Sequence, residues 1–263
     1  MFPAISRSLA ASGLSRAVAA IFLFALIFGV TGIVRADDDD EKPKNLKVLD
    51  TTISHDDLIN LMDQFTVALG VKCGFCHART EGPNGRDWDW ASDKMPAKLT
   101  ARDMLRLTNA INGDYLAKMN DLDTPRVRVE CVTCHRGQSV PVLIQDLLKR
   151  AYTSGGFMAL DSVYRDLRGH YYGSHTFDFG DPMLVHLAME LSEESDSTAL
   201  QILALNREFN QKSAFNEWAT GQIYLELKDT VEAVTSLEKA VAIDSTYYRA
   251  IRSLDMLRGR MKR

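Results

Sequence analysis

The sequence has no cysteine outside two short clusters, no histidine between His77 and His135, and no long apolar run after residue 34. Without further apolar runs the body cannot thread a membrane several times. Basic residues are not in excess either. There are 31 Lys and Arg against 35 Asp and Glu. The first 36 residues hold three of the arginines and no acid, so the remainder is more acidic still. That balance excludes the basic stripe a nucleic-acid binder needs. Only seven prolines occur in 263 residues, which leaves room for long helices. No strand–helix–strand pattern surrounds either cysteine cluster, so a thioredoxin-like dithiol lacks its setting.

The N-terminus reads as an export signal. Arg7 and Arg16 precede an apolar run from Ala17 to Val34, and Val34-Arg35-Ala36 offers a small-residue cleavage site. Its rival is a retained anchor, because the run has 18 residues and sits at the lower edge of a bilayer span. Both readings place the body outside the cytoplasm, in the periplasm, soluble or attached to the inner membrane through the N-terminus. Residues 37–50, with four consecutive aspartates, read as an acidic tether.

The body then divides. Residues 51–150 hold both cysteine clusters. Ser54 to Asp57 resembles a capping box, and Leu58, Leu61, Met62, Phe65 and Leu69 follow at helical spacing up to Gly70, which is placed to stop the helix. Residues 78–99 read as a loop containing Trp88 and Trp90, which either pack on a cofactor or anchor the loop. A second capping-box-like start is expected at Thr100 to Asp103, with Met104, Leu107, Ile111 and Tyr115 on one face. Residues 151–182 read as a connecting segment with a helical stretch at 157–168. Residues 183–263 are helical throughout. A weak period of 34 residues relates Ala199 to Ala233 and Leu203 to Leu237. Gly221, Tyr224, Ala233, Leu237 and Ala240 lie at tetratricopeptide-like (TPR-like) spacing, against the plainer reading of an ordinary helical bundle. The fold class expected is all-α.

The chemistry lies in Cys73-Gly74-Phe75-Cys76-His77 and Cys131-Val132-Thr133-Cys134-His135. C-x-x-C-H attaches haem. Two thiols so spaced bond the two vinyl groups of one porphyrin edge, and the adjacent His ligates iron from one face. All four cysteines are used this way, which leaves none for a disulfide. Zinc would call for Cys₂His₂ or Cys₄ sets. Two covalently bound haem c groups are therefore expected, held by Cys73, Cys76, Cys131 and Cys134, with His77 and His135 as iron ligands. The sixth position sets the function, since a thioether there raises the potential and a second His lowers it. Met62, eleven residues before Cys73, and Met104, on the helix before Cys131, are the candidates. Each also lies on an apolar helix face, where a methionine is ordinary core.

Three stretches resemble the cytochrome subunit of photosynthetic reaction centres. They are Leu69-Gly70-Val71-Lys72-Cys73-Gly74-Phe75-Cys76-His77, then Ala101 to Asn112 with its Ala-Arg-x-Met start, then Cys131-Val132-Thr133-Cys134-His135-Arg136-Gly137. The resemblance covers about residues 50–145 and amounts to one haem pair of that family's two. It implies that Met62 and Met104 are the sixth ligands, with Met95 and Met119 as rivals of Met104. A histidine that serves the other pair in tetrahaem members is matched here by Lys118. The C-terminal region has no counterpart in that subunit and reads as an appended interaction module.

The expected function is single-electron transfer between periplasmic or membrane redox partners, a reaction centre among the candidates, with the helical hairpins docking a protein partner. The enzymatic alternative is a dihaem peroxidase, which needs an open sixth position and a nearby acid–base group. No catalytic residue is named. His170, His175 and His186 read as solvated or capping residues, and His55 as a surface residue in a first helical turn.

Overall fold

The computed structural model describes residues 42–82, 85–119 and 127–261, without the side chains of Arg86, Arg260 and Met261. The expected export signal lies outside the described residues. One compact unit runs from Lys44 to the C-terminus. Its order is α1 (His55–Leu69), a hairpin of β1 (Ala78–Gly82) and β2 (Gly85–Asp89), α2 (Pro96–Ala110), the short α3 (Cys131–His135), and then α4 (Ile144–Tyr171), α5 (Asp181–Leu191), α6 (Asp196–Phe209), α7 (Ala214–Glu226), α8 (Thr230–Ile243) and α9 (Tyr248–Met261). Among the described residues the protein is all-α apart from that one antiparallel hairpin, registered from Ala78 opposite Asp89 to Gly82 opposite Gly85.

Helix α1 forms as its sequence dictates. The Ser54 hydroxyl accepts from the Asp57 backbone N–H at 3.1 Å, and Gly70 ends the helix in the left-handed conformation at φ 64°. Helix α2 departs from expectation. It begins at Pro96, a turn before Thr100, because a proline in the first helical turn gives up an N–H that has no helical partner there. Thr100 instead turns its hydroxyl back toward the Pro96 carbonyl at 3.4 Å. The expected loop at 78–99 contains the hairpin.

The acidic tether also ends early. Asn45 donates its amide to the Ala91 carbonyl at 2.6 Å and to Asp93 at 2.8 Å, and Lys47 pairs with Asp93 at 2.7 Å. Arg102, only 8% exposed, completes the clamp by pairing with Asp93 at 2.8 Å and donating to the Asn45 carbonyl at 3.2 Å. The pull of Lys47 first, then of Arg102 and Asn45, holds the Asp93 carboxyl down at about 2, against the opposing effect of burial.

The apolar core sits in the second half of the chain. Of the buried apolar side chains among the described residues, only Ala68 and Ala78 precede Ile144. One cluster joins α4 to α7 through Leu148, Leu160, Tyr164, Leu184, Leu203 and Ile223. A second joins α7 to α9 through Leu237, Ala250 and Leu254. Residues 151–182 are therefore not merely a connection. Leu160 and Tyr164 lie at zero exposure inside the first cluster. Helix α4 accommodates this by breaking at Gly155–Gly156, where Gly156 takes φ 67° with ψ −160°, a conformation reserved for glycine. Helices α7 and α8 approach closely at Gly221, where a Cβ would come within 2.8 Å of Leu237 Cγ and 3.2 Å of the Ala233 carbonyl.

Candidate haem-attachment site

Both C-x-x-C-H clusters fold as single helical turns. In the first, a 3₁₀ turn over Cys73–Phe75 leads to a His77 N–H that donates to the Cys73 carbonyl at 2.9 Å. In the second, Cys131–His135 is a five-residue helix with a reciprocal cap. The Glu130 carboxylate accepts from the Thr133 N–H, and the Glu130 N–H donates to the Thr133 hydroxyl at 3.0 Å. On such a turn, residues three and four apart share a face, so two thiols and one imidazole point the same way. All four cysteines are free thiols. Burial pushes the Cys76 and Cys131 thiols up.

The histidines are held alike. His77 Nδ1 lies 3.2 Å from the Trp90 carbonyl, and His135 Nδ1 lies 2.7 Å from the Gln138 carbonyl. A carbonyl only accepts, so each Nδ1 carries a proton, and in the neutral ring that leaves the lone pair on Nε2. That is the tautomer an axial iron ligand requires. Burial, and then the Lys98 ammonium, push the His77 imidazole below its ordinary range, against the pull of the Trp90 carbonyl. Trp90 also meets the His77 ring edge-on at 5.1 Å and stacks on Trp88 at 4.9 Å, while the Arg79 guanidinium lies 4.1 Å over Trp88. Trp88 reaches back over Gly74, where a Cβ would sit 3.4 Å from its ring. The hairpin thus braces the first cluster.

The two clusters are tied through α1. The Gly137 N–H donates to the Ala68 carbonyl at 2.8 Å, and a Cβ on Gly70 would collide with the Gly137 carbonyl. Arg136 takes the left-handed conformation at φ 48°, turning the chain so that Gly137 meets Gly70. Thr176 donates to the Arg136 carbonyl at 2.9 Å from the far side. The Asn112 amide exchanges two hydrogen bonds with the Val129 backbone, at 2.8 and 2.9 Å, and so fixes the chain entering Cys131. Met62 lies half-buried in the middle of α1, and Met104 lies in the middle of α2 at 40% exposure. Met95 caps the start of α2, and Met119 lies at 49% exposure. Lys118 pairs loosely with Asp114 at 3.6 Å. His170 bonds the Asp166 carbonyl at 2.8 Å, and His186 packs edge-on against Phe215, so both have local roles. Sequence reading missed the roles of Gly137, Asn112, Arg102 and Lys98. For Arg136-Gly137, Asn112 and Arg102 a signal existed, since all stood inside the stretches that carried the resemblance, whereas Lys98 stood outside them.

These residues fit a haem. Among the described residues no three His, Cys, Asp or Glu side chains gather to hold a metal alone. A porphyrin supplies four nitrogens itself and asks one imidazole of the protein on each face it binds. The apolar side chains around the clusters stand open rather than packed together. Phe75, Trp90, Leu107 and Val132 are each between 45 and 53% exposed. Exposed apolar surface gathered around a donor set is a surface for an apolar ligand.

Residues 44–154 match the family model of the photosynthetic reaction centre cytochrome C subunit. The match covers less than half of the chain. The cytochrome domain is similar to cytochrome c-554 of Chloroflexus aurantiacus, 35% identical over 68 residues, which is 26% of this chain and 14% of that protein. It is equally similar, at 35% over 69 residues, to the photosynthetic reaction center cytochrome c subunit of Thermochromatium tepidum, again 26% of this chain and 14% of the relative. The chain thus matches about one seventh of the length of these relatives. No solved structure matches at the same stringency. The family match supports covalently bound haem c on this segment. Among the described residues no helix is long and apolar enough to cross a membrane.

Proposed function

We propose that this protein is an exported dihaem c-type cytochrome that passes single electrons between redox partners. Haem supplies an iron that switches between ferrous and ferric states. The chain supplies everything else. Cys73 and Cys76 hold one group and Cys131 and Cys134 the other, so neither is lost to a dilute compartment. His77 and His135 ligate through Nε2, and Met62 and Met104 are the sixth ligands. The observation that carries this reading is the matched pair of Nδ1–H bonds to the Trp90 and Gln138 carbonyls, each beside two free thiols on one helical turn. The Gly70–Gly137 contact supports placing the two groups as one unit, since it locks the exit of the second cluster against the entry of the first. No acid–base pair is assigned, because electron transfer asks the protein to fix ligands and exclude water rather than to move protons.

The helical region after residue 183 is proposed as the docking module, with TPR-like pairing supported by the close approach of α7 and α8 at Gly221. The physiological partner is proposed by class only, as a redox protein or a membrane electron-transfer complex. Intact-mass measurement combined with a redox titration tests the whole reading. Two haems and two low-spin His/Met signatures are expected. A mass showing fewer than two haems rejects the dihaem assignment, and a high-spin iron that turns over peroxide rejects the carrier role.

A further inference from the structure

The Trp90 carbonyl accepts from two donors. His77 Nδ1 approaches at 3.2 Å, and Lys98 Nζ approaches more closely, at 2.6 Å. Lys98 also donates to the Ser92 carbonyl at 2.9 Å, so its ammonium is fixed between two oxygens and leads back to the axial histidine through one atom. The fixing has a clear structural source. Lys98 lies in the first turn of α2, whose early start at Pro96 brings it back toward residues 90–92. The second cluster is different. His135 has the shorter bond, 2.7 Å, to a Gln138 carbonyl that Lys98 does not reach, and the charges flanking its turn are of both signs, Glu130 paired loosely with Arg128 at 4.0 Å and Arg136 following the histidine.

Two effects follow, and both have the same sign. A carbonyl already engaged by an ammonium is a weaker acceptor, so it draws less on the His77 N–H. The imidazole is then a poorer electron donor to iron, which favours the ferrous state. The fixed positive charge near the iron also opposes the extra positive charge of the ferric state. At Gln138 the undivided carbonyl does the reverse. Other charges lie close to the first cluster, among them Asp89, Asp93 and Arg102, but Asp93 and Arg102 are paired with each other. Lys98 alone shares the carbonyl that orients the ligand.

Resting on the dihaem reading above, we propose that Lys98 raises the potential of the haem on His77 above that of the haem on His135, making the first cluster the electron-accepting end of the pair. With haem bound, the His77 site would then favour the electron over the His135 site. Lys98 is a positioning residue here, since it acts through the Trp90 carbonyl and through its charge.

The test is a spectroelectrochemical titration of the full-length holoprotein, wild type against Lys98→Gln, Lys98→Met and Lys98→Arg, with haem content checked by intact mass. In Lys98→Gln and Lys98→Met the higher of the two potentials falls, the lower stays, and the gap between them narrows. Lys98→Arg keeps the gap because it keeps the charge and the donor. An unchanged gap, a fall in the lower potential alone, or an arginine variant that behaves like glutamine overturns the proposal. Loss of one haem from both neutral variants also overturns it, since the lysine is then structural. A wild-type mass without two haems instead rejects the underlying dihaem reading.

Discussion

At the scale of single residues the site is governed by which atoms carry protons and which keep lone pairs. His77 and His135 are each turned by one carbonyl, and the proposed sixth ligands Met62 and Met104 are the variable part. Met62→His or Met104→His is expected to lower one haem potential by roughly 0.1–0.3 V, a fraction of the ~0.8 V that axial ligands span, and to leave the other nearly in place. A redox titration in which neither potential moves removes both ligand assignments. Asp93 gives a prediction about pH. Its carboxyl is held at about 2, below the ordinary 3.8, chiefly by Lys47. A group depressed by folding stabilises the folded state above its ordinary value, and that contribution is lost as pH falls through the folded one. Stability therefore drops between about pH 4 and pH 2. In Asp93→Asn this part of the acid titration, followed by circular dichroism in dilute urea, flattens. A wild-type curve and a variant curve of identical shape remove the clamp from the account.

At the scale of elements, the seam between α1 and α3 is set by what is missing from Gly70. The backbone there has φ 64° and the Gly137 carbonyl occupies the space of a side chain. Gly70→Ala combines left-handed strain with a backbone collision and is expected to cost about 2–4 kcal/mol. Gly156→Ala meets nothing near its Cβ, but φ 67° with ψ −160° is barred to any residue that has one, so its cost is backbone strain alone. Urea denaturation of the two variants compares strain alone with strain plus collision. Asn112→Ala removes both bonds to Val129 and is expected to cost about 1–3 kcal/mol. It should also quicken hydrogen exchange at Val129 relative to α1. The start of α2 shows why element boundaries were only partly legible. Thr100 to Asp103 carries the residues of a cap, yet Pro96 needs no cap, and the helix takes the earlier start. That one turn places Lys98 on the Trp90 carbonyl.

At the scale of the whole molecule, two parts of one compact unit rest on different physics. Residues from Ile144 onward bury their own apolar side chains in two clusters that share α7. Before Ile144 only Ala68 and Ala78 are fully buried among the apolar side chains of the described residues, and polar clamps at Asp93, Asn112 and Gly137 add to the cohesion of the cytochrome domain. Its stability is therefore expected to depend on bound haem, which adds burial to the folded state only. A variant with all four cysteines changed to serine should keep slow hydrogen exchange in α5 to α8 and lose it in α1 to α3. Equal protection in both parts would mean that the cytochrome domain folds on its own contacts.

The sequence by itself determined the stop of α1 at Gly70 and the all-α class, and it singled out the two C-x-x-C-H clusters proposed to attach haem. These depend on neighbours within a few positions, and short-range chemistry is written directly in the chain. It also carried the family, through stretches around Cys73, Met104 and Cys131. Only the tertiary structure decided that Trp90 and Gln138 lend their carbonyls to the two histidines, that Arg102 buries itself to join Asn45 to Asp93, and that residues 151–182 belong to a core. Each of these joins backbone or side-chain atoms through a turn or a packing contact that no periodicity encodes. The pair of C-x-x-C-H clusters says that haem is bound, and the carbonyls that hold their histidines say how the two sites differ.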